Sequence, residues 1–102
     1  MVGKMSNTRM KLRPLDFSLL TELQSGRNVG SNLFMVVDAS HQYVNERLAQ
    51  IEDYGLVNRV GPNPNSGLYE ITDLGRFVLE NRDAYYDDDV DFDELIEDEF
   101  RS

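Results

Sequence analysis

One segment concentrates side chains able to read a nucleic-acid surface. Between Ser40 and Gly55, Val44, Leu48 and Ile51 fall at i, i+4 and i+7, the spacing of a single buried helical face. The opposite face then carries His41, Gln42, Tyr43, Asn45, Glu46 and Ala49. Gln42 and Asn45 end in primary amides, which offer a donor and an acceptor together and match the N6/N7 edge of adenine in the major groove. His41 is suited to donate to a guanine or a phosphate. Tyr43 suits a phosphate or a thymine methyl, and Arg47 the sugar–phosphate backbone. Glu46 is discordant, because a carboxylate near phosphate is costly unless it accepts from cytosine N4. The same face also fits an ordinary solvated helix.

Side chains read base edges only if the chain around them holds the helix in place. Ser40 is placed to cap the helix over 41–54, its hydroxyl accepting from an unpaired first-turn N–H. Gly55 is placed to end it in the left-handed conformation. Upstream, Pro14 suits a first helical position, and Leu15, Leu19 and Leu23 mark one face of a helix over 14–25. Ser31 caps a short apolar helix, Asn32–Val37, and Asp38-Ala39 turns the chain into the next helix. Two helices joined by a short polar turn, the second amphipathic, form a helix-turn-helix pattern.

Downstream, 56–60 and 68–71 read as two strands around GPNPNSG (61–67), a segment whose glycines, prolines and asparagines suit a hairpin tip. Arg59 on the first strand and Asn63 and Asn65 at the tip suit a minor-groove or phosphate contact, or simply a turn. Thr72 caps a last helix with Leu74, Phe77 and Val78 on one stripe, continuing through Asn81 and Tyr85, and Leu79, Arg82 and Tyr86 on another. Two apolar stripes imply two packing partners, the second of which a further subunit would supply. The fold class expected is mainly α with a small β-hairpin: a winged helix-turn-helix, α-α-α-β-β-α, with an acidic C-terminal extension.

Charge is unevenly distributed along the 102 residues. The formal net charge is −9, yet residues 1–82 balance nine Lys/Arg against nine Asp/Glu. The whole imbalance lies in 83–102, where ten acids face Arg101 alone. At the other end, Lys4, Arg9, Lys11 and Arg13 precede any acidic residue. The chain therefore divides into a basic arm (1–13), a winged helix-turn-helix body (14–82) and an acidic tail (83–102). Arg9, Lys11 and Arg13 suit a minor-groove arm or an untethered terminus, and Arg27 suits a phosphate. In the tail, Asp91 and Glu94 have capping-box spacing, and Phe92, Leu95, Ile96 and Phe100 share one helical face. The tail can be a solvating segment, a mask for the basic arm or a docking helix for a partner. Eight Arg beside two Lys, and eleven Asp beside eight Glu, fit a protein that works in concentrated salt or one from a high-GC genome.

From Leu15-Asp16 to Arg76 the chain resembles the haloarchaeal winged-helix family typified by the halophage phi-H repressor, and more distantly MarR-like regulators. Gly26-Arg27-Asn28, Ser31-Asn32-Leu33, QYVNERLAQIEDYGLVNRVG (42–61) and GLYEITDLGR (67–76) carry the resemblance. It implies a transcription regulator, most simply a repressor, that reads the major groove with helix 41–54 and the flanking minor groove or backbone with the wing 61–67. Its partner is then double-stranded DNA at a palindromic operator, bound as a homodimer. Phe77, Leu79, Tyr85 and Tyr86, with Phe92, Leu95, Ile96 and Phe100, are the candidate dimer contacts; Ser31 and Ser40 join the DNA-contact set. The rival reading is a winged helix used for protein contacts in a transcription or viral–host complex, with DNA binding lost.

Catalysis and cofactor binding have little support in the residue types. One histidine and no cysteine leave no evident metal site, and acids without a cavity lack the means to shift their pKa values. Neither a cofactor nor a small-molecule ligand is expected. The first 15 residues lack an apolar h-region, and the longest apolar run, Leu33–Val37, is far short of the roughly 20 residues that span a bilayer. A cytoplasmic, nucleoid-associated protein with no membrane contact is the expectation.

Overall fold

The structure, a computed structural model, describes residues 10–26, 28–29, 33, 37, 39–60 and 68–101. Helix α1 (Pro14–Gln24) starts as expected, with Pro14 in its first turn. Asp16 reaches back to the Arg13 N–H at 2.7 Å, pinning the helix start. Its buried face is wider than the leucine stripe: Phe17, Leu19, Leu20 and Leu23 are buried, while Leu15 sits at the edge. The width follows from its position, because α1 packs against helix His41–Asp53, helix Asp73–Glu80 and strand Leu68–Ile71.

Strand β1 (Asn28–Val29) follows and was not anticipated. Of the expected helix Asn32–Val37, only Leu33 and Val37 are among the described residues. Leu33 is fully buried, and the Val37 N–H donates to the Leu33 carbonyl at 3.2 Å. Helix α2 (His41–Asp53) has Ser40 as its cap, accepting from the Tyr43 N–H at 3.1 Å, and buries Val44, Leu48 and Ile51. Gly55 then turns the chain at φ +83°, where a side chain would be strained. Strands β2 (Val57–Val60) and β3 (Leu68–Ile71) pair antiparallel, Val57 opposite Ile71 and Arg59 opposite Tyr69. β1 pairs on the other side of β3, giving a three-stranded sheet in the order β1-β3-β2.

A tight knot joins the sheet to helix α3 (Asp73–Glu80). The Thr72 hydroxyl accepts from Gly75 N–H at 3.0 Å and donates to the Gly55 carbonyl at 2.6 Å. The Thr72 N–H donates to the Leu56 carbonyl at 3.0 Å. Gly75 lies so close that a Cβ there would collide with the Leu56 carbonyl oxygen and the Ile71 side chain. The glycine of the T-D-x-G-R motif is thus a packing requirement.

The last helix does not run unbroken to Tyr86. Asn81 leaves the helical region (φ −106°, ψ 27°) and its side-chain amide donates to the Phe77 carbonyl at 2.9 Å. A short helix α4 (Arg82–Tyr85) then forms. The tail follows as α5 (Phe92–Leu95), with the Asp91 carboxylate accepting from Glu94 N–H at 3.1 Å, and continues as a π-helical turn over Ile96–Phe100.

The tail's apolar face docks on its own chain. Phe92 and Ile96 are 1% and 2% exposed. Phe92 meets the Tyr85 ring edge-on at 5.2 Å, and Phe100 packs on Phe77 at 5.4 Å. Leu79 and Leu95 are half-buried against the same core. Of the expected dimer contacts, Tyr86, at 50%, is the most exposed. The body of the same chain covers the apolar stripe, so residues on both sides of position 82 share one core.

Two stability predictions follow from this packing. Gly75→Ala lowers unfolding free energy by about 3 kcal/mol, at the upper end of overpacking costs, as measured by chemical denaturation. Phe92→Ala costs about 3–5 kcal/mol in the same assay, whereas a solvated tail would give no change.

Candidate nucleic-acid interface

The first half of α2 gathers the expected reading residues on one surface. His41, Gln42, Tyr43, Asn45, Glu46 and Ala49 are all exposed, Tyr43 at 39%. The helix period puts Gln42, Asn45, Glu46 and Ala49 side by side, opposite the buried Val44, Leu48 and Ile51. The Gln42 amide donates to the Glu46 carboxylate at 3.4 Å, a long and exposed bond that is cheap to exchange for another acceptor. Ser40 spends its acceptor on the helix cap.

Arg47 departs from expectation. Its guanidinium turns inward and binds Asp16 through two parallel bonds, Nε to Oδ1 and Nη2 to Oδ2, both 2.8 Å. Nη2 also donates to the Lys11 carbonyl at 3.2 Å. The Arg47 side chain is 14% exposed and that of Asp16 is fully buried. A buried carboxylate demands a matched cation, and Arg47 supplies it, so a DNA-backbone contact by this guanidinium has to compete with Asp16. The hydrogen bonds to Asp16 raise the Arg47 pKa above its ordinary value, outweighing the opposing effect of burial. Asp16 was missed in the sequence reading. Its signal is an acid among the apolar positions of LDFSLL, three residues after the helix cap.

Residues 10–13 are a fixed part of the fold and not a free arm. Met10 and Leu12 are buried, while Lys11 and Arg13 are exposed. The Tyr54 hydroxyl accepts from the Lys11 N–H at 2.9 Å, and the Tyr85 hydroxyl accepts from the Leu12 N–H at 2.8 Å. Arg9, Arg27, Ser31, Asn63 and Asn65 lie outside the described residues, as does the wing tip 61–67.

Arg59 points across the hairpin. Its guanidinium donates to the Tyr69 hydroxyl at 2.9 Å, lies 5.2 Å from the centre of that ring and approaches Glu52 at 3.5 Å. Arg59 and Glu52 are both more than a third exposed, so this ion pair contributes little to stability. A phosphate contact by Arg59 has to compete with these neighbours.

A cleft of about 600 Å³ opens between α1 and the start of α2, lined by Leu15, Thr21, Glu22, Val37, Tyr43 and Arg82 among others. The sequence had not indicated such a space. Among the described residues no group of three His, Cys, Asp or Glu is arranged to hold a metal ion, and no helix is long and apolar enough to cross a membrane.

Comparison with known proteins supports this architecture. A solved structure described as a possible transcriptional regulator for arsenical resistance superposes with a TM-score of 0.54 over 79% of this chain and 82% of that one, at 24% identity. No protein-family model matches the chain, and no curated protein matches it. The likeness and the element order agree on the fold class expected from the sequence, a winged helix-turn-helix.

The ion pair yields a prediction that separates structure from DNA contact. Arg47→Ala leaves Asp16 buried and unpaired and costs about 3–5 kcal/mol of stability, read by thermal or chemical unfolding without DNA. A surface phosphate contact would leave unfolding unchanged.

Proposed function

We propose that this chain is a sequence-specific double-stranded DNA-binding transcription regulator, most simply a repressor. In this reading α2 enters the major groove, and the wing 61–67 meets the flanking minor groove or backbone. The observation that carries it is the exposed Gln42–Asn45 surface on a helix whose orientation is fixed from behind by Arg47 and Asp16. The chain shares its fold with a protein described as a possible transcriptional regulator, which supports the same reading. The motif resemblance points to the haloarchaeal phi-H repressor type. A palindromic operator bound by a homodimer fits this class, with Tyr86 and the half-buried Leu79 as the surface left for a second copy.

The docked segment of the acidic tail is compatible with DNA binding because of where it sits. Asp93, Ile96 and Glu97 line a cleft with Asp53 and Tyr54, at the C-terminal end of α2. Gln42 and Asn45 lie toward the other end, about 16 and 12 Å from Asp53 along the helix axis. Both distances exceed the Debye length of about 8 Å at physiological salt, so the charges of Asp93 and Glu97 are largely screened from Gln42 and Asn45.

One observation favours the alternative, a winged helix that docks on a protein. Glu46 stands in the middle of the exposed face and already holds Gln42.

Titration of the full chain against genomic duplex fragments across a wide salt range decides between them. The proposal expects a preferred fragment, with Gln42→Ala and Asn45→Ala each weakening it by about 1–3 kcal/mol and barely changing binding to random DNA. It also expects a shallow salt dependence, because few phosphates are neutralised by a charge-balanced body. Absence of a preferred fragment at every salt concentration overturns the proposal.

A further inference from the structure

Residues 10–13 alternate strictly: Met10 and Leu12 are buried, Lys11 and Arg13 exposed. Arg13 is extended (φ −114°, ψ 159°), and the alternation is strand-like, one face in the core and one in solvent, in a segment, the N-terminal strand, that pairs with none of β1, β2 and β3. Three side chains hold its backbone. Tyr54 hydrogen-bonds the Lys11 N–H and, at 3.4 Å, the Lys11 carbonyl, which also accepts from Arg47. Tyr85 hydrogen-bonds the Leu12 N–H and, at 3.3 Å, the Leu12 carbonyl.

Tyr54 follows directly on α2 and Arg47 lies within it, seven residues apart on one flank of the helix that presents Gln42 and Asn45. The strand therefore runs beside that helix and is tied to it. Lys11 and Arg13, two residues apart on an extended chain, are separated by about 7 Å along the strand, close to the separation of neighbouring phosphates on one DNA strand. Asp16, which accepts from the Arg13 N–H, is matched by Arg47, and three further acids, Asp53, Asp93 and Glu97, share a cleft with Met10. They reduce the positive character of the strand at its Met10 end and leave it strongest at Lys11 and Arg13.

We infer that this strand is a preorganised phosphate-binding edge, with Lys11 and Arg13 as the contacts and Tyr54 as the residue that positions them relative to the base-reading face. The inference rests on the DNA-binding reading and adds a second contact element to it. Phosphate contacts carry no sequence information but set the register of a reader on the duplex. An edge fastened to α2 by Tyr54 and Arg47 transmits that register to Gln42 and Asn45 without a flexible joint. The edge replaces the minor-groove arm for residues 11 and 13, whose backbone is already committed to the fold.

The test is a double-mutant cycle on the full chain, using the duplex enriched from a randomised 20-base-pair library. Lys11→Ala should weaken binding about three- to tenfold and lower the slope of log affinity against log salt by about 1. Arg13→Ala, also an exposed change, should do the same. Tyr54→Phe keeps the ring and removes only the hydroxyl clamp; it should weaken binding about threefold while circular dichroism shows the chain still folded. In the Tyr54→Phe background, Lys11→Ala should then cost less than twofold. An equal Lys11→Ala cost in both backgrounds, or an unchanged salt slope, overturns the inference while the DNA-binding reading stands. A library that yields no enriched duplex overturns both.

Discussion

The arrangement of this domain depends on one buried ion pair. Asp16 has no contact with solvent, and its two oxygens take three donors: the Arg13 N–H and the Nε and Nη2 of Arg47. Removing a carboxylate from water is costly, and the cost is offset only when both oxygens find a matched cation and well-placed donors. Meeting that condition requires the first turn of α1, the middle of α2 and the strand before α1 to converge at one point, since Arg47 also holds the Lys11 carbonyl. Among the described residues no buried side-chain polar atom lacks a partner. The pair adds less to net stability than to geometry: of the ways an amphipathic helix can roll on an apolar core, it selects the one that leaves Gln42 and Asn45 outward. A guanidinium, with its planar fork, meets this geometry where an ammonium would not.

The acidic tail follows a related logic. Its apolar residues complete the core laid down by α1 and α3, with Phe92 against Tyr85 and Phe100 against Phe77. Its acids are left on the outer side, on a segment that packs at the far end of α2 from the base-reading residues. A domain of this size gains from every buried side chain, so the segment with the greatest charge also supplies part of the core. Screening of its mutual repulsion by salt favours the docked state, which agrees with the Arg- and Asp-rich composition.

The sequence revealed those parts of the fold whose causes are local. Ser40 and Thr72 were legible as caps because a hydroxyl and the N–H it satisfies lie three residues apart. Gly55 was legible because its left-handed turn favours glycine, and β2 and β3 because they flank a segment no regular element tolerates. The features that escaped depend on distant partners. Arg47 and Asp16 are 31 residues apart, and Tyr85 and Leu12 are 73 apart; neither residue's type announces the other. β1 has two residues, too few for a periodic signal, and exists because β3 offers it an open edge. The stripe of Phe92, Leu95, Ile96 and Phe100 was legible as one helical face, but an apolar stripe does not specify whose surface, if any, covers it. Exposure of the α2 face was legible, and the inward turn of Arg47 from that helix was not.

The central claim is that the outward face of α2 meets DNA while the tail stays away from it. Amide chemical-shift mapping of the labelled 102-residue chain, titrated with its preferred duplex, tests this most directly. The account predicts shifts concentrated at Ser40–Glu46, at β2–β3 and at Lys11–Arg13, with Asp91–Arg101 unmoved. Shifts centred on the tail, with Gln42 and Asn45 unmoved, would contradict it.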